Sequence, residues 1–169
     1  LSWNALMVTA YCQAYRAIGT ASYRQSALRA IDFLLDAFRI PESEAFYHTF
    51  KEGQAQYPAF LNDYAYLTEA LLAVYEISFV DTYLEEARRI TDFVIAEFSA
   101  PRESPLFFFT QAGQADIPIR RREVLDAALP SGNATMAQNL HRLGMLYDSD
   151  SYRRQAEQMW WVVRDSVEK

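Results

Sequence analysis

The sequence predicts an all-α fold of three stacked αα-hairpins, because the same pattern recurs three times along its 169 residues. A short opening appears as Ser2-Trp3-Asn4, Asn62-Asp63-Tyr64 and Ser131-Gly132-Asn133. A tyrosine follows the third residue of each opening at the same distance of 19 residues (Tyr23, Tyr83 and Tyr152). Such units stack on their neighbours to bury their apolar faces. We therefore expect one domain, 1–169, with hairpins at approximately 1–39, 62–98 and 131–169.

Each hairpin is predicted to pair an inner helix with an outer helix. The segments 5–15 and 65–75 are apolar on nearly all sides, which is typical of a helix buried all round. The segment that starts at Tyr23 instead has apolar residues at steps of three and four and charged residues on the other side, which indicates a helix with one exposed face. Ser22, and either Asp81 or Thr82, are the expected N-caps of the outer helices.

Two long connections, at about 40–62 and 99–131, separate the hairpins. Each contains an aromatic run that ends in threonine, at 46–49 and at 107–110. Aromatic residues and threonine favour extended structure, so we expect short strands or a hairpin inside both connections. Long loops with this composition are usually ordered and functional, and we expect these two to cover one end of the helix array.

Composition and charge exclude several functions. The net charge of −6 argues against a nucleic-acid surface. No run of about 18 apolar residues is present, so no membrane partner is expected, and we expect a cytoplasmic protein. The run Arg120-Arg121-Arg122 is interpreted as a local salt-bridge network with Glu123 and Asp126, and a site for an anionic ligand is the alternative.

Metal and cofactor chemistry is not predicted. Cys12 is the single cysteine, which excludes a disulfide within the chain, and it is expected to be a core residue. His48 and His141 lie far apart, and no metal-ligand spacing occurs. Since the chain runs from an inner-helix opening at Leu1 to Lys169, we expect a piece of a longer protein. Its open ends need upstream repeats, a protein partner or self-association.

The motifs resemble the C-terminal part of thioredoxin-domain-containing proteins, the spermatogenesis-associated thioredoxin-like family. The resemblance spans nearly the whole chain and rests on the three openings and above all on the pattern of 120–143, with Arg120, Glu123, Asp126, Pro130-Ser131-Gly132-Asn133 and Asn139. It implies about half of an (α/α)6 toroid, similar to N-acylglucosamine epimerases and six-hairpin glycosidases. It also implies upstream toroid repeats and a thioredoxin-like domain as partners in the same protein.

Two departures from the family pattern bear on function. The family usually has Glu where this chain has Asn62, which puts a role for that position in doubt, and Gly where it has Ala127. Asp63 and Asp126 are retained. Because the thioredoxin-like half is absent from these residues, no redox activity carries over to them.

The resemblance places the inner-helix openings and the long loops at one mouth of the funnel, where aromatic faces and polar groups suit a sugar. The candidate substrate-binding residues are Trp3, Asn4, Tyr64, Arg120, Ser131 and Asn133, and the candidate catalytic residues are Asp63, Asp126 and His48. The two carboxylates fit glycoside hydrolysis, whereas His48 fits proton transfer in an epimerisation.

Two non-catalytic interpretations stay open. Ser2, Asn62 and Ser131 can simply cap helices, with Asp63 favourable at the positive end of the helix dipole. The whole array can then be a helical scaffold that docks a thioredoxin-like domain or another protein. Carboxylates that share a cleft favour catalysis, and carboxylates that cap helices or pair with arginine favour the scaffold.

Overall fold

A computed structural model describes residues 1–100, 102–114 and 119–167, with side chains up to 164. Six helices and two strands occur in this part of the chain, in the order α1 Ser2–Ile18, α2 Ala21–Phe38, β1 Tyr47–Lys51, β2 Gln54–Pro58, α3 Leu61–Ser78, α4 Asp81–Phe98, α5 Gly132–Leu146 and α6 Asp150–Val167. The predicted all-α class with short strands in a loop is confirmed. Positions 168 and 169 of the third predicted hairpin lie outside the described residues.

The helices form two layers. The inner helix α3 contacts α1 on one side and α5 on the other, while α2, α4 and α6 each pack on the inner helix of their own hairpin. Asn139 on α5 donates from Nδ2 to the carbonyl of Ala65 on α3 at 2.8 Å. Glu76 on α3 pairs with both Arg16 on α1 (2.8 Å) and Arg142 on α5 (2.6 Å). These contacts fix the inner helices side by side.

The prediction that inner helices are buried all round holds for α3 and is wrong for α1. Most of α3 is buried, whereas α1 buries only the stripe Ser2, Ala5, Val8, Thr9 and Cys12. Met7 is 53% exposed and Ile18 is 66% exposed. The difference follows from position, because among the described helices α3 has an inner helix on both sides, whereas α1 contacts the inner helix α3 alone.

The recurring tyrosines link neighbouring outer helices. Tyr83 on α4 donates to Asp32 Oδ1 on α2 at 2.8 Å. Tyr152 on α6 donates in the same way to Asp92 on α4. The repeated tyrosine therefore forms one hydrogen bond between the outer helices of each pair of neighbouring hairpins.

The two long loops differ. In the first, β1 and β2 form an antiparallel hairpin in which Tyr47 pairs with Pro58 and Thr49 with Gln56. In the described part of the second loop no strand forms, apart from an isolated bridge between Ala100 and Ser104. The prediction of strands is confirmed for the first loop and wrong for the second.

Helix-end carbonyls and arginine take the place of a strand ladder in the second loop. The N–H of Phe108 donates to the carbonyl of Phe98 at 2.8 Å, and that of Ala112 donates to Glu97 at 2.9 Å, both at the end of α4. The Arg120 guanidinium donates to the carbonyls of Thr110 and Glu97. Buried backbone groups need a partner, and here a neighbouring helix supplies it.

The predicted N-caps are correct only for the third inner helix. Ser131 is the N-cap of α5, and its side chain accepts from the N–H of Ala134 at 3.4 Å. Ser22 lies inside α2, whose N-cap is Thr20, and α4 begins at Asp81 after Val80. Neither of those two N-caps makes a side-chain capping bond. None of the described helices is long and apolar enough to cross a lipid bilayer.

Candidate functional site

The openings of α1 and α3, together with the first loop, enclose a cleft of about 390 Å³ that we call the mouth cleft. Its lining combines polar and aromatic side chains, including Trp3, Asn4, His48, Phe60, Asn62, Asp63 and Phe109. Trp3 is 77% exposed at its edge. Concave sites of this size with a few polar groups among aromatic walls are typical of small-molecule binding sites.

Asp63 is fully buried at the bottom of the mouth cleft and accepts four hydrogen bonds. Its Oδ1 accepts from the N–H of Ser2 at 3.0 Å and from the Ser2 hydroxyl at 2.5 Å. Its Oδ2 accepts from the N–H of Phe60 at 2.9 Å and from His48 at 2.7 Å. A buried carboxylate needs this many donors to offset the loss of water. Asp63 thus fastens α1, β1 and the start of α3 together.

His48 is a titratable side chain of the mouth cleft, and no hydrogen bond to its Nε2 atom is formed by the described residues. Its Nδ1–H donates to Asp63 Oδ2, so the neutral ring carries its lone pair on Nε2. The side chain is 37% exposed, and the ring lies edge-on to Phe60 with centroids 5.1 Å apart. A carboxylate that holds one ring nitrogen fixes the orientation and tautomer of the other, as in proton-transfer sites.

Phe60 and Phe109 form an aromatic wall across the two loops. Their rings stack at 4.8 Å with planes 12° apart. The N–H of Leu61 donates to the carbonyl of Phe109 at 2.9 Å, which holds the second loop beside the start of α3. This backbone hydrogen bond holds the two rings against each other, and both rings line the mouth cleft.

Asn62 connects the mouth cleft to the third hairpin. Its Oδ1 is buried and has no hydrogen-bond partner among the described residues. A Cβ placed on Gly132 would lie 2.2 Å from this oxygen, so a larger residue at that position would force the Asn62 side chain to move. The opening of α5 is thereby seated directly against the opening of α3.

Asp126 does not lie in the mouth cleft. It lines a separate cleft between α1, α3 and α5, and its Oδ1 accepts from the N–H of Ser131 at 2.8 Å. Tyr66 donates to the carbonyl of Pro130 beside it. Burial, reinforced by the negative charge of Asp126 and other nearby carboxylates, raises the pKa of Tyr66 to about 12. The structure therefore does not bring Asp63 and Asp126 together as a pair facing one cleft.

Four other candidate residues hold loops in place. Tyr64 is fully buried, and its hydroxyl accepts from the N–H of Phe46 at 3.1 Å. Asn133 is buried and exchanges hydrogen bonds with the backbone of Phe107. The Ser131 hydroxyl donates to the Glu123 carbonyl at 3.1 Å, and the Arg120 guanidinium donates to the Thr110 carbonyl. Trp3 and Asn4, by contrast, are exposed in the mouth cleft.

The arginine run forms a local network with Glu123, as the salt-bridge interpretation predicted, although Glu103 takes part in it and Asp126 does not. Arg121 pairs with Glu123 at 2.7 Å, and Arg122 pairs with Glu103 at 3.0 Å. The Arg120 and Arg122 guanidinium groups lie over the Phe108 ring at 4.0 and 3.8 Å from its centroid. Asp126 is not part of this network, because it bonds to the Ser131 backbone.

Sequence reasoning missed Phe60, which no repeat marked because it lies just before the α3 opening. Its position directly ahead of a helix start was the one available signal. No group of three or more metal-ligating side chains occurs in the described part of the chain.

Stacked hairpins with their inner openings gathered at one end define an αα-toroid class of protein. The model of the N-acylglucosamine 2-epimerase family matches residues 3–129, and the chain belongs to that family.

Relatives known by sequence agree with the resemblance noted above. The chain is 32% identical over 150 residues to spermatogenesis-associated protein 20 of Mus musculus, and 28% identical over 159 residues to the protein of that name in Homo sapiens. Each match covers 84% of this chain and 19% of the relative. The chain thus spans about a fifth of the length of these relatives.

Solved structures show the same fold. A GH76 α-mannanase of Bacteroides thetaiotaomicron superposes with a TM-score of 0.71 at 18% identity, over 94% of this chain and 42% of the mannanase. Cellobiose 2-epimerase of Spirochaeta thermophila superposes with a TM-score of 0.56 at 14% identity, over 95% of this chain and 57% of the epimerase. At these identities the likeness establishes the toroid fold alone.

Proposed function

We propose that this domain, an epimerase- and glycosidase-like toroid domain of a protein similar to spermatogenesis-associated protein 20, binds a sugar in the mouth cleft. The observation that carries the proposal is the His48–Asp63 pair set beneath an aromatic wall in a cleft of about 390 Å³. An aromatic face packs on the apolar face of a pyranose, and polar side chains bind its hydroxyls. The likeness to sugar-processing toroids supports the same ligand class.

The roles within the mouth cleft follow from exposure. Trp3 and Phe109 supply ring surface, and Asn4 and Asn62 supply amides for hydroxyl groups. Asn62 would contribute its Nδ2 group, because its Oδ1 is buried against Gly132 at the opening of α5.

For chemistry, the arrangement supports proton transfer by His48 more than hydrolysis by two carboxylates. Hydrolysis needs two carboxyl groups flanking one bond, and Asp63 and Asp126 line different clefts. A Salegentibacter mannanase of this fold is described as inactive when two adjacent aspartates are replaced, and this chain has no two adjacent aspartates. His48 Nε2 would act as the proton acceptor, and Asp63 would be the positioning residue that orients the ring.

The test measures by calorimetry whether the longest native protein that contains this domain binds neutral, amino or phosphorylated sugars. Saturable binding that is lost in Trp3→Ala and His48→Ala is expected. Trp161→Ala, which removes a tryptophan that is 56% exposed on α6, is the matched control and should bind normally. Binding that is absent, or equal in all three variants, overturns the assignment of the mouth cleft.

A helical scaffold is the second candidate, and the hydrogen bonds of Asp63 and Asp126 favour it. Asp63 accepts the N–H of Phe60 at the start of α3, and Asp126 accepts the N–H of the α5 N-cap Ser131. These are structural uses of a carboxylate at helix openings. If substitutions in the mouth cleft lower only the melting temperature and no sugar binds, the scaffold is the better account.

A further inference from the structure

We infer that the first hairpin of this domain docks a further αα-hairpin from the upstream part of the same longer protein, and that the outer helix of that hairpin carries an aspartate for Tyr23. The surface that receives it consists of Met7, Ala10 and Ala14 of α1 and Tyr23 of α2, and we call it the docking face. The three hairpins have equivalent positions, and the docking face lacks partners that its equivalents in the other two hairpins have. No step of this inference involves a sugar, so it is independent of the proposed function.

The inner helices α3 and α5 bury the side that faces the preceding hairpin. Asn139 of α5 lies on that side, because its amide donates to the carbonyl of Ala65 on α3 at 2.8 Å. Equivalent positions differ by 69 residues between α5 and α3 and by 60 residues between α3 and α1. The residues of this side are fully buried in both helices, namely Leu67, Ala70 and Val74 in α3 and Met136, Asn139 and Leu143 in α5.

The same side of α1 is open. Its residues are Met7, Ala10 and Ala14, which follow each other at steps of three and four and so share one face of the helix. Met7 is 53% exposed and Ala10 is exposed too, whereas Leu67 and Met136, the equivalents of Met7, are fully buried. An end repeat that needs no neighbour has a polar outer side. The apolar side of α1 therefore indicates a neighbouring repeat.

The outer helices show the same difference. Tyr83 and Tyr152 each donate to an aspartate of the preceding outer helix. Tyr23 occupies the equivalent position of α2, and its ring is held by stacking on Tyr11 of α1, with centroids 6.2 Å apart. Its hydroxyl forms no hydrogen bond among the described residues. Tyr23 is thus a positioned donor whose acceptor belongs to an outer helix beyond this domain.

The repeat also identifies the acceptor and excludes a second copy of this chain as its source. Asp32 and Asp92 each follow the tyrosine of their own outer helix by nine residues. In α6 that position is occupied by Trp161, whose indole N–H can donate a hydrogen bond but cannot accept one. A second copy that stacked on the docking face in the manner of a repeat would place Trp161 beside Tyr23. A further hairpin with an aspartate at this position supplies the missing acceptor.

The longer protein and the fold both have length for such a hairpin. The chain spans about a fifth of the length of its mammalian relatives and 42% of the superposed mannanase. Stacked repeats contact their immediate neighbours, and consecutive elements of a chain are usually adjacent in space. The hairpin that precedes α1 in the sequence is therefore the one that fits the docking face.

The first experiment identifies the occupant of the docking face. In the longest native protein that contains this domain, the photo-crosslinker benzoylphenylalanine replaces Met7, and mass spectrometry finds the peptide that it joins. We expect a crosslink to a helix upstream of α1 in the same polypeptide. Arg29, which is exposed on another face of α2, is the matched control position and should give no such crosslink. A crosslink from Met7 to a second copy or to another protein, or crosslinks confined to this domain, would overturn the inference.

The second experiment tests Tyr23 by thiol labelling of Met7→Cys in the same protein. The covered thiol should react about a hundredfold more slowly than that of Arg29→Cys, because it is reached only when the hairpin opens. Tyr23→Phe removes one hydrogen bond to a carboxylate and should raise the rate at position 7 about tenfold. Tyr83→Phe removes the equivalent bond between α2 and α4 and should leave that rate unchanged, and circular dichroism confirms that each variant is folded. Equal rates at the two thiols, or a rate at position 7 that Tyr23→Phe does not change, would contradict the inference, and neither outcome bears on sugar binding at the mouth cleft.

Discussion

The openings of α3 and α5 occupy equivalent places in the repeat and use them differently. At the third position both anchor a loop: the Tyr64 hydroxyl accepts the N–H of Phe46 at 3.1 Å, and Asn133 Oδ1 accepts the N–H of Phe107 at 2.8 Å. At the second position α3 has Asp63, which accepts four hydrogen bonds, and α5 has Gly132, which sits against α3.

The comparison separates what the repeat requires from what one site requires. Each long loop needs an acceptor for a buried N–H, and a phenol or an amide serves equally well. A buried carboxylate hydrogen-bonded to a histidine is not required to anchor a long loop, because the second loop is anchored without one. The Asp63–His48 pair is therefore a feature of the mouth cleft, and four predictions test that distinction.

The largest expected effect is that of Asp63→Ala. It leaves the N–H and hydroxyl of Ser2 and the N–H of Phe60 without their acceptor, and we expect a loss of about 3 kcal/mol in the free energy of unfolding. Asn133→Ala removes a loop anchor alone and should cost about 2 kcal/mol. Urea denaturation measures both, and a larger loss at Asn133 would break the comparison.

Gly132→Ala should cost about 2 kcal/mol, because its Cβ would overlap the Asn62 side chain and overpack the contact between the two openings. Asn62→Ala removes the overlapping oxygen, so the double variant should recover most of the lost stability. A double-mutant cycle measures the coupling. Additive losses would show that the two openings do not depend on this contact.

Tyr64→Phe should cost about 1 kcal/mol at neutral pH through the lost bond to the N–H of Phe46. Burial raises the pKa of Tyr64 to about 12, above the value near 10 of an unfolded tyrosine. The stability from keeping this phenol neutral is fully present below about pH 10 and is lost as pH rises towards 12. The amide anchor Asn133 has no such dependence.

Unfolding free energies from pH 9 to 12 check this difference between the loops. The decline with pH should be shallower in Tyr64→Phe than in the native protein. Tyr66→Phe should make the decline shallower in the same way, since burial and nearby carboxylates raise its pKa to about 12 as well. A decline that is unchanged in Tyr64→Phe would mean that its phenol does not titrate with unfolding.

The smallest effect on stability is expected for His48→Ala, at about 0.5 kcal/mol. Its side chain is 37% exposed, so water replaces the histidine at part of the Asp63 carboxylate. Thermal denaturation measures this loss. A cost as large as that of Asp63→Ala would mean that His48 is a structural part of the α3 opening rather than a group held for a ligand.

Repeat spacing predicted the three hairpins because two of the three recurring tyrosines make the same interhelical hydrogen bond, from Tyr83 to Asp32 and from Tyr152 to Asp92. The aromatic run of the first loop predicted its strands because the strand partner, β2, lies in the same loop. The structure of the second loop was not predicted, because its backbone partners are the end of α4 and the Arg120 side chain, which lie outside the aromatic run 107–110.

The candidate site was predicted in part. Asp63, His48, Trp3 and Asn4 line the mouth cleft together, since three of them lie at helix openings and the fourth in the aromatic run. Asp126 was assigned to the same site by the resemblance, but it caps the α5 opening beside another cleft.

The measurement that tests the central claim most directly is chemical-shift mapping of sugar binding at the mouth cleft, with the native protein and His48→Ala compared at equal concentrations. The account predicts saturable shifts at Trp3, His48 and Phe109 in the native protein and none in His48→Ala, with both proteins folded. Absence of shifts at these residues with any neutral, amino or phosphorylated sugar would contradict the claim, and would assign the Asp63–His48 pair to holding the helix openings together.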